Sequence, residues 1–167
     1  MQSYLVIQNS KKDEASCLEK GHAFEDFMVT LFNKRKFRLL EWRSDKKASN
    51  GVYPLSCSFP DLEFSYSRGR FQQRFAVECK WRNQFFNGKI HWANEAQIHI
   101  YEEYQNQNAI TVYVAIGVGG TPSNPQQLFI TPLDHIKMYP KVFRSRLIPY
   151  TKDPLQKLYT SEQLPLF

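Results

Sequence analysis

Residues 59–82 read FPDLEFSYSRGRFQQRFAVECKWR, and their pattern predicts the centre of a β-sheet. Apolar and polar residues alternate on both sides of Arg68-Gly69-Arg70, which is the pattern of two antiparallel strands joined by a tight turn. Glycine in the first central position favours a two-residue type II′ turn. That turn fixes the register of the hairpin, so that Leu62 faces Val77 and one side of the hairpin is apolar.

The opposite side of the same hairpin brings two carboxylates together. The register sets Asp61 against Glu78, and the two-residue period of a strand puts Lys80 beside Glu78. Like charges opposite each other destabilise a sheet, so the pair needs a cation, a raised pKa or another register. A divalent metal is the simplest compensation, because Asp and Glu oxygens favour hard cations such as Mg²⁺. The alternative is two surface carboxylates, each paired with a local cation.

Length and composition indicate one globular domain with a sizeable core. The chain has 167 residues, 42% of them hydrophobic, which excludes general disorder and a disulfide miniprotein. The longest uncharged apolar run, residues 109–119, is shorter than the roughly 20 residues of a membrane helix. Cys17, Cys57 and Cys79 form no CxxC pair, which fits reduced thiols. We therefore expect a cytoplasmic protein without membrane contact.

Positive charge is concentrated in blocks. The formal charge is +6, and basic residues cluster at 34–47, 68–89 and 137–157, whereas residues 90–136 contain neither Lys nor Arg. Such blocks favour a polyanion such as DNA or RNA, because neutralised phosphates release counterions. The alternative is a solvated basic face. The residues predicted to contact nucleic acid are Arg68, Arg70, Arg74, Arg82 and Tyr101.

The remaining patterns predict an α/β protein with the order αβββαββ. Helices are predicted at 18–33, from an apolar stripe with helical spacing, and at 91–105, and strands at 37–43, 59–66, 71–81, 110–118 and 127–131. Residues 44–58 are expected to form a long loop. The domain is predicted to occupy residues 1–138, and residues 139–167 to form a basic, loosely packed extension.

Pro60-Asp61, sixteen intervening residues and Glu78-Cys79-Lys80 together resemble the signature of the PD-(D/E)XK nuclease superfamily. The Asp at the start of one predicted strand and the Glu-x-Lys near the end of its neighbour match the family's placement. Glu25, one turn after Gly21, resembles the glutamate of the family's first helix, although it also suits a helix boundary. Gln97 and Tyr101 resemble the QxxxY motif of the RecB-like branch, although a core glutamine would look the same.

The resemblance implies a restriction-endonuclease-like fold, with a central mixed sheet flanked by helices. It implies that Asp61, Glu78 and the Cys79 carbonyl hold Mg²⁺ or Mn²⁺, that Lys80 assists the attacking water, and that Glu25 and Gln97 support the site. The implied activity is Mg²⁺-dependent hydrolysis of DNA phosphodiester bonds in repair, recombination or restriction. Two alternatives stay open: an inactive nucleic-acid-binding module of the same fold, and a Holliday-junction resolvase, which would act as a dimer.

The C-terminal residues resemble a second, independent motif. Gln163-Leu164-Pro165-Leu166-Phe167 is similar to the short peptide that binds bacterial sliding clamps, although Pro165 departs from the usual residue. The implied contacts are Gln163, Leu164, Leu166 and Phe167. The alternative is that this tail packs on its own domain.

Overall fold

A computed structural model describes residues 2–43 and 58–164, with side chains from residue 16 onward. The strands are β1 (Phe37–Trp42), β2 (Leu62–Arg68), β3 (Phe71–Arg82), β4 (Lys89–His91), β5 (Thr111–Val118), β6 (Gln127–Pro132), β7 (Lys141–Phe143) and β8 (Thr151–Lys152). The helices are α1 (Gln2–Leu31), α2 (Glu95–Asn108), α3 (Leu133–Ile136) and α4 (Arg144–Leu147), and 3₁₀ turns occupy Ile148–Tyr150 and Ser161–Gln163.

A mixed sheet forms the centre of the protein. Its strands lie in the order β1-β2-β3-β5-β6-β8, and β4 and β7 pair in a separate two-stranded sheet. β3 and β5 are parallel, whereas the other neighbours in the central sheet are antiparallel. A parallel pair needs a crossover, and α2 lies in the connection between β3 and β5. The predicted fold class and the order αβββαββ are confirmed, with short elements added.

The register predicted for the hairpin is confirmed. Leu62 lies opposite Val77 and Phe64 opposite Phe75, and Gly69 has the positive φ of 61° that the turn requires. These four apolar side chains are buried. The alternating apolar residues of the two strands therefore all lie on the side of the β2–β3 hairpin that faces the core.

Helices cover both faces of the sheet and create two cores. Phe24 and Met28 of α1 pack on the apolar side of the hairpin. On the other face, Ile98 of α2 packs with Val114 and Ile116 of β5. All five side chains are at most 5% exposed. The central strands are thus held between α1 and α2, and residues 75–79 of β3 are buried on both faces of the sheet.

Both long helices differ from their predicted bounds. α1 extends to Gln2, and the predicted apolar stripe corresponds to the part of the helix whose side chains Phe24, Met28 and Leu31 pack in the core. α2 begins at Glu95 instead of residue 91, since residues 89–91 pair with β7 and Asn94 caps the helix. A long-range strand pairing therefore replaces the first helical turn that the local pattern favoured. The predicted loop at 44–58 lies outside the described residues except for Ser58.

The expectation of a loosely packed extension is wrong for residues 139–164. β7 pairs with β4, β8 pairs with β6, and Leu147, Leu158 and Leu164 are each at most 3% exposed. Main-chain hydrogen bonds join Leu158 to Leu31 and Asn33 at the end of α1. This segment contributes to the same two cores as the residues before it. Within the part of the chain that the structure describes, no helix is both long and apolar enough to span a membrane.

Gly117 tests the packing of α1 on the sheet. A Cβ at this position would lie 2.5 Å from the ring of Phe24. We expect Gly117→Ala to lower the free energy of unfolding by about 1–3 kcal/mol, because the ring must move within a packed core. Urea denaturation measures the change. Gly21→Ala is the control, since nothing lies within 4 Å of a Cβ there. An equal loss in the two variants would contradict this packing.

Candidate active site

Asp61 and the Glu-x-Lys segment meet where β2 begins. Asp61 lies one residue before β2, and its Oδ2 accepts a hydrogen bond of 2.8 Å from the main-chain N–H of Cys79. Glu78 and Lys80 flank Cys79 in β3, and the Lys80 ammonium forms an ion pair with Glu78. The hairpin register thus brings together the two carboxylates that the sequence predicted as neighbours.

Carboxylates are crowded together in this cluster. Burial raises the pKa of Asp61 well above its usual range, and the carboxylates of Glu78 and Glu25 raise it further. Burial lowers the pKa of Lys80, but Glu78 and Asp61 outweigh that effect and the net shift is upward. Arg82 also interacts with Glu78. The charged form of Asp61 is therefore disfavoured, and a proton or a bound cation would relieve the repulsion between the carboxylates.

Glu25 reaches the cluster from α1. Its side chain is buried, and its Oε2 accepts a hydrogen bond of 2.8 Å from the indole N–H of Trp42 in β1. Trp42 was not predicted as a site residue, because a tryptophan in a strand pattern carries no local signal of this contact. Glu25 also lines a cavity of about 590 Å³ between α1 and the end of β3. Other residues lining it include Lys20, His22, Asp61, Lys80 and Arg82.

The donor set fits a divalent cation. Oε2 of Glu78 is buried and has no hydrogen-bond partner among the described residues, and Lys80 holds the other oxygen. Burial raises the pKa of the Cys79 thiol well above its ordinary value, so only the main-chain carbonyl of this residue is a suitable ligand. The described residues contain no metal-binding group of three or more His, Cys, Asp or Glu side chains. Mg²⁺ commonly takes only one or two protein carboxylates and keeps several waters.

Tyr101 approaches Glu78 from α2, and this corrects its predicted role. Its side chain is only 3% exposed, and burial together with the charge of Glu78 raises the pKa of Tyr101. A buried residue facing the carboxylate cannot contact nucleic acid at the surface. The hydroxyl stays protonated and is directed at the acidic cluster.

Gln97 occupies a different position from the one its motif suggested. Its Oε1 accepts a hydrogen bond from the main-chain N–H of Asn94, and the Asn94 side chain accepts one from the N–H of Gln97. This reciprocal pair is a capping box. The buried face of α2 passes through Ile98, Tyr101 and Tyr104 instead. Gln97 is therefore not the core glutamine of the alternative interpretation either, because its side chain is only partly buried and its amide oxygen is engaged at the helix terminus.

The four predicted DNA-contacting arginines lie in three places. Arg82 lines the cavity and donates to the main-chain oxygen of His91. Arg68 and Arg70 lie at the hairpin turn, roughly 30 Å along β3 from Lys80 at the usual rise per residue. Arg74 is half-exposed and bound to Glu63. Their role in nucleic-acid binding stays a prediction.

A second polar cluster, not found from the sequence, anchors the chain next to Asp61. The guanidinium of Arg43 donates hydrogen bonds to the main-chain oxygen of Pro60 (3.0 Å) and to the carboxylate of Glu63 (3.0 Å). The main-chain N–H of Arg43 donates to the main-chain oxygen of Asp61 (2.7 Å). Tyr104 donates to Glu63 at 2.5 Å. Burial and this hydrogen bond raise the pKa of Tyr104 to about 12, so it remains a donor at neutral pH. The cluster fixes the backbone that presents Asp61.

The described part of the C-terminal peptide packs on the protein itself. Leu164 is 1% exposed in the core, and Oε1 of Gln163 accepts hydrogen bonds from the N–H groups of Tyr159 and Thr160. Leu166 and Phe167 lie outside the described residues. Binding of this peptide to a clamp would require Leu164 to leave the core, so the packing favours the alternative.

Comparison with known proteins agrees with the fold. No family model matches the chain, and no curated protein matches it. A similar solved structure is that of Hjc, a Holliday junction resolvase from the archaeal hyperthermophile Archaeoglobus fulgidus. The TM-score is 0.54 at 18% sequence identity, and the match covers 80% of this chain and 95% of that one. The similarity shows a shared resolvase and restriction-endonuclease-like fold.

Substitution of Glu63 tests the polar cluster of Arg43, Glu63 and Tyr104. Burial raises the pKa of Glu63, but hydrogen bonds from Tyr104, Arg74 and Arg43 outweigh this and lower it overall. We expect Glu63→Gln to reduce the free energy of unfolding by about 2 kcal/mol at pH 7. A carboxyl whose pKa is lowered by folding stabilises the protein above its unfolded-state pKa. The difference in the free energy of unfolding between wild type and Glu63→Gln should therefore disappear as the pH falls below about 4.

Denaturant unfolding between pH 3 and 8 measures this difference. Glu162→Gln is the matched control, because its ion pair with Arg68 is solvent-exposed on both sides. We expect that variant to stay within about 0.5 kcal/mol of wild type. A Glu63→Gln loss that is constant across the pH range would show that the carboxylate charge does not hold the cluster.

Proposed function

We propose that this protein is a divalent-metal-dependent nuclease that hydrolyses DNA phosphodiester bonds. One observation carries the proposal: Asp61 lies in the wall of a cavity beside Lys80, and the adjacent carboxylate of Glu78 helps to raise the pKa of Asp61. Adjacent carboxylates whose pKa is raised at a cavity are typical of a functional site, and a divalent cation is a group that would stabilise both of them. The basic blocks of the sequence suit a polyanionic substrate.

Asp61, Glu78 and the main-chain carbonyl of Cys79 are the groups that would hold Mg²⁺ or Mn²⁺. When bound, such a cation polarises the scissile phosphate and offsets the charge that develops during hydrolysis. Asp61 is oriented by the N–H of Cys79, and the backbone of Asp61 is held by Arg43. The protein therefore presents its carboxylates in a fixed position before any ligand binds.

Lys80 and Glu25 complete the proposed site. The Lys80 ammonium lies on the cavity wall and can donate hydrogen bonds to a phosphate oxygen or to the attacking water. Glu25 adds negative charge from the opposite wall and so favours a cation between α1 and β3. Gln97 is not included, because its amide caps α2.

A branched DNA junction is a specific candidate substrate. The observation that favours it is the shared fold with a Holliday junction resolvase over 95% of that chain. A resolvase presents two sites to a four-way junction, so this form of the proposal includes a dimer. We place the activity in DNA recombination or repair. Binding to a sliding clamp is left out, because Leu164 is buried in the core.

The proposal predicts metal-dependent cleavage that needs the acidic pair. Single-stranded, duplex and four-way-junction DNA should be incubated with Mg²⁺, Mn²⁺ or EDTA, with cleavage followed on denaturing gels. We expect cleavage with either metal, none with EDTA, and a loss of at least about 100-fold in Asp61→Asn and Lys80→Gln. Asp134→Asn is the control, because Asp134 is exposed on α3 and pairs with Lys137. Its activity should match wild type.

A different result would favour a DNA-binding module without nuclease activity. Metal-independent DNA binding without cleavage, unchanged in Asp61→Asn and Lys80→Gln, would identify a binding module and contradict the nuclease. Cleavage of all three DNA forms at equal rates would retain the nuclease and reject junction specificity.

A further inference from the structure

The small β4–β7 sheet has two different faces. Ile90 and Val142 point inward and are buried in the core on the α2 side. Lys89 lies opposite Phe143, and His91 lies opposite Lys141, and all four are exposed. The Lys89 ammonium lies 4.4 Å from the centre of the Phe143 ring. The outer face therefore combines cations with an exposed aromatic ring.

Phe86 extends this face at the turn before β4. It is 77% exposed, although its backbone is held by hydrogen bonds in both directions with Lys89. Asn87 and Gly88 both have positive φ, at 50° and 71°, which is the geometry of a tight type I′ turn. The N–H of Arg144 also donates to the oxygen of Gly88. The protein thus displays a large apolar ring on a turn whose backbone is held by hydrogen bonds.

The other aromatic residues of this segment are less exposed than Phe86. Trp92 is fully buried, Phe85 is partly buried and packs edge-on against Phe129, and Trp81 is partly buried with its indole donating to the main-chain oxygen of Gly119. Phe86 is therefore the most exposed ring between residues 81 and 92.

Charge indicates the chemistry of the ligand. Residues 83–94 and 138–146 together contain four Lys or Arg and no Asp or Glu. These cations are Lys89, Lys141, Arg144 and Arg146, and all four are exposed. An apolar protein partner would gain nothing from four uncompensated cations, whereas phosphates would be attracted by them. Alternating cations and exposed rings are the features that bind single-stranded nucleic acid.

The outer face of the β4–β7 sheet is continuous with the candidate active site. Arg82 lines the same cavity as Lys80, and its guanidinium donates to the main-chain oxygen of His91 in β4. Phe86 follows Lys80 by six residues, so their Cα atoms are at most about 20 Å apart. A DNA strand that enters the cavity can therefore reach this face within a few nucleotides.

We propose that the outer face of the β4–β7 sheet binds an unpaired DNA strand, with bases stacked on Phe86 and Phe143 and phosphates on Lys89 and Lys141. In a continuous duplex the bases stack on one another and offer no free ring face. The inference rests on the proposed nuclease function and deepens it. The substrate has unpaired bases next to the cleavage site, as at a frayed end or an open branch point.

Binding without metal tests this site separately from cleavage. Fluorescence anisotropy in EDTA should compare a mixed-sequence single strand of about 15 nucleotides, within the usual site size, with a duplex of the same length. We expect Phe86→Ala and Phe143→Ala each to weaken single-strand binding about 10-fold, and duplex binding less than 2-fold. Phe86→Trp should retain single-strand binding, because its ring also stacks.

Phe71→Ala is the matched control. Phe71 has the same 52% exposure as Phe143, but it lies at the opposite end of β3 from Arg82. Its single-strand affinity should equal that of wild type. Circular dichroism and the urea midpoint of each variant verify that all of them fold. Unchanged affinity in both Phe86→Ala and Phe143→Ala, or an equal loss in Phe71→Ala, would overturn the proposal.

Light scattering and cleavage assays distinguish the remaining outcomes. A wild-type dimer that Phe86→Ala converts to a monomer of unchanged DNA affinity would make this face an interface between copies, and the stacking site would be rejected. Selective loss of single-strand binding in a protein that never cleaves DNA would reject the nuclease and retain the stacking site. If the protein cleaves DNA but Phe86→Ala and Phe143→Ala bind single strands as well as wild type, the nuclease function would be retained and the stacking site rejected.

Discussion

The hydrogen bond from the main-chain N–H of Cys79 to the carboxylate of Asp61 connects two segments on which the candidate site depends. It forms only because the β2–β3 hairpin has one register, set by the glycine turn and by an apolar side that must face α1. A shift of one residue would turn Glu78 and Lys80 to the other side of the sheet. Sheet formation and assembly of the acidic cluster are therefore the same event.

The carboxylates of the candidate site repel one another. Asp61, Glu78 and Glu25 lie close together around the Lys80 ammonium, while Arg43, Glu63 and Tyr104 hold the adjoining backbone in place. Preorganised charges of this kind favour binding of a cation, because the repulsion is already present before the ligand arrives. The outer face of the neighbouring β4–β7 sheet carries exposed cations, so the proposed metal site and the proposed nucleic-acid site lie next to each other.

Local patterns predicted the central hairpin, the meeting of Asp61 with Glu78 and the order of the main elements. They were sufficient because these features depend on strand alternation and on one turn. The cluster of Arg43, Glu63 and Tyr104 could not be predicted, since its members are far apart in the chain and come from three different elements. The start of α2 was misplaced because pairing of β4 with β7 is a long-range contact.

Gln97 shows how a local signal can be overlooked. Asn94 followed three residues later by Gln97 is the pattern of a helix N-terminus, and it predicts the capping box that the structure contains. The same glutamine was interpreted through a family motif instead. Its partner in that motif, Tyr101, does face Glu78, so the motif located one of its two residues near the site.

Anomalous scattering from a bound metal would show whether Asp61 and Glu78 form a cation site. Crystals of the wild-type protein soaked in Mn²⁺ should show an anomalous-scattering peak in contact with the carboxylates of Asp61 and Glu78, and this peak should be absent from Asp61→Asn crystals. A peak confined to other parts of the surface, or no peak at saturating Mn²⁺, would contradict the assignment of this acidic cluster as a metal site.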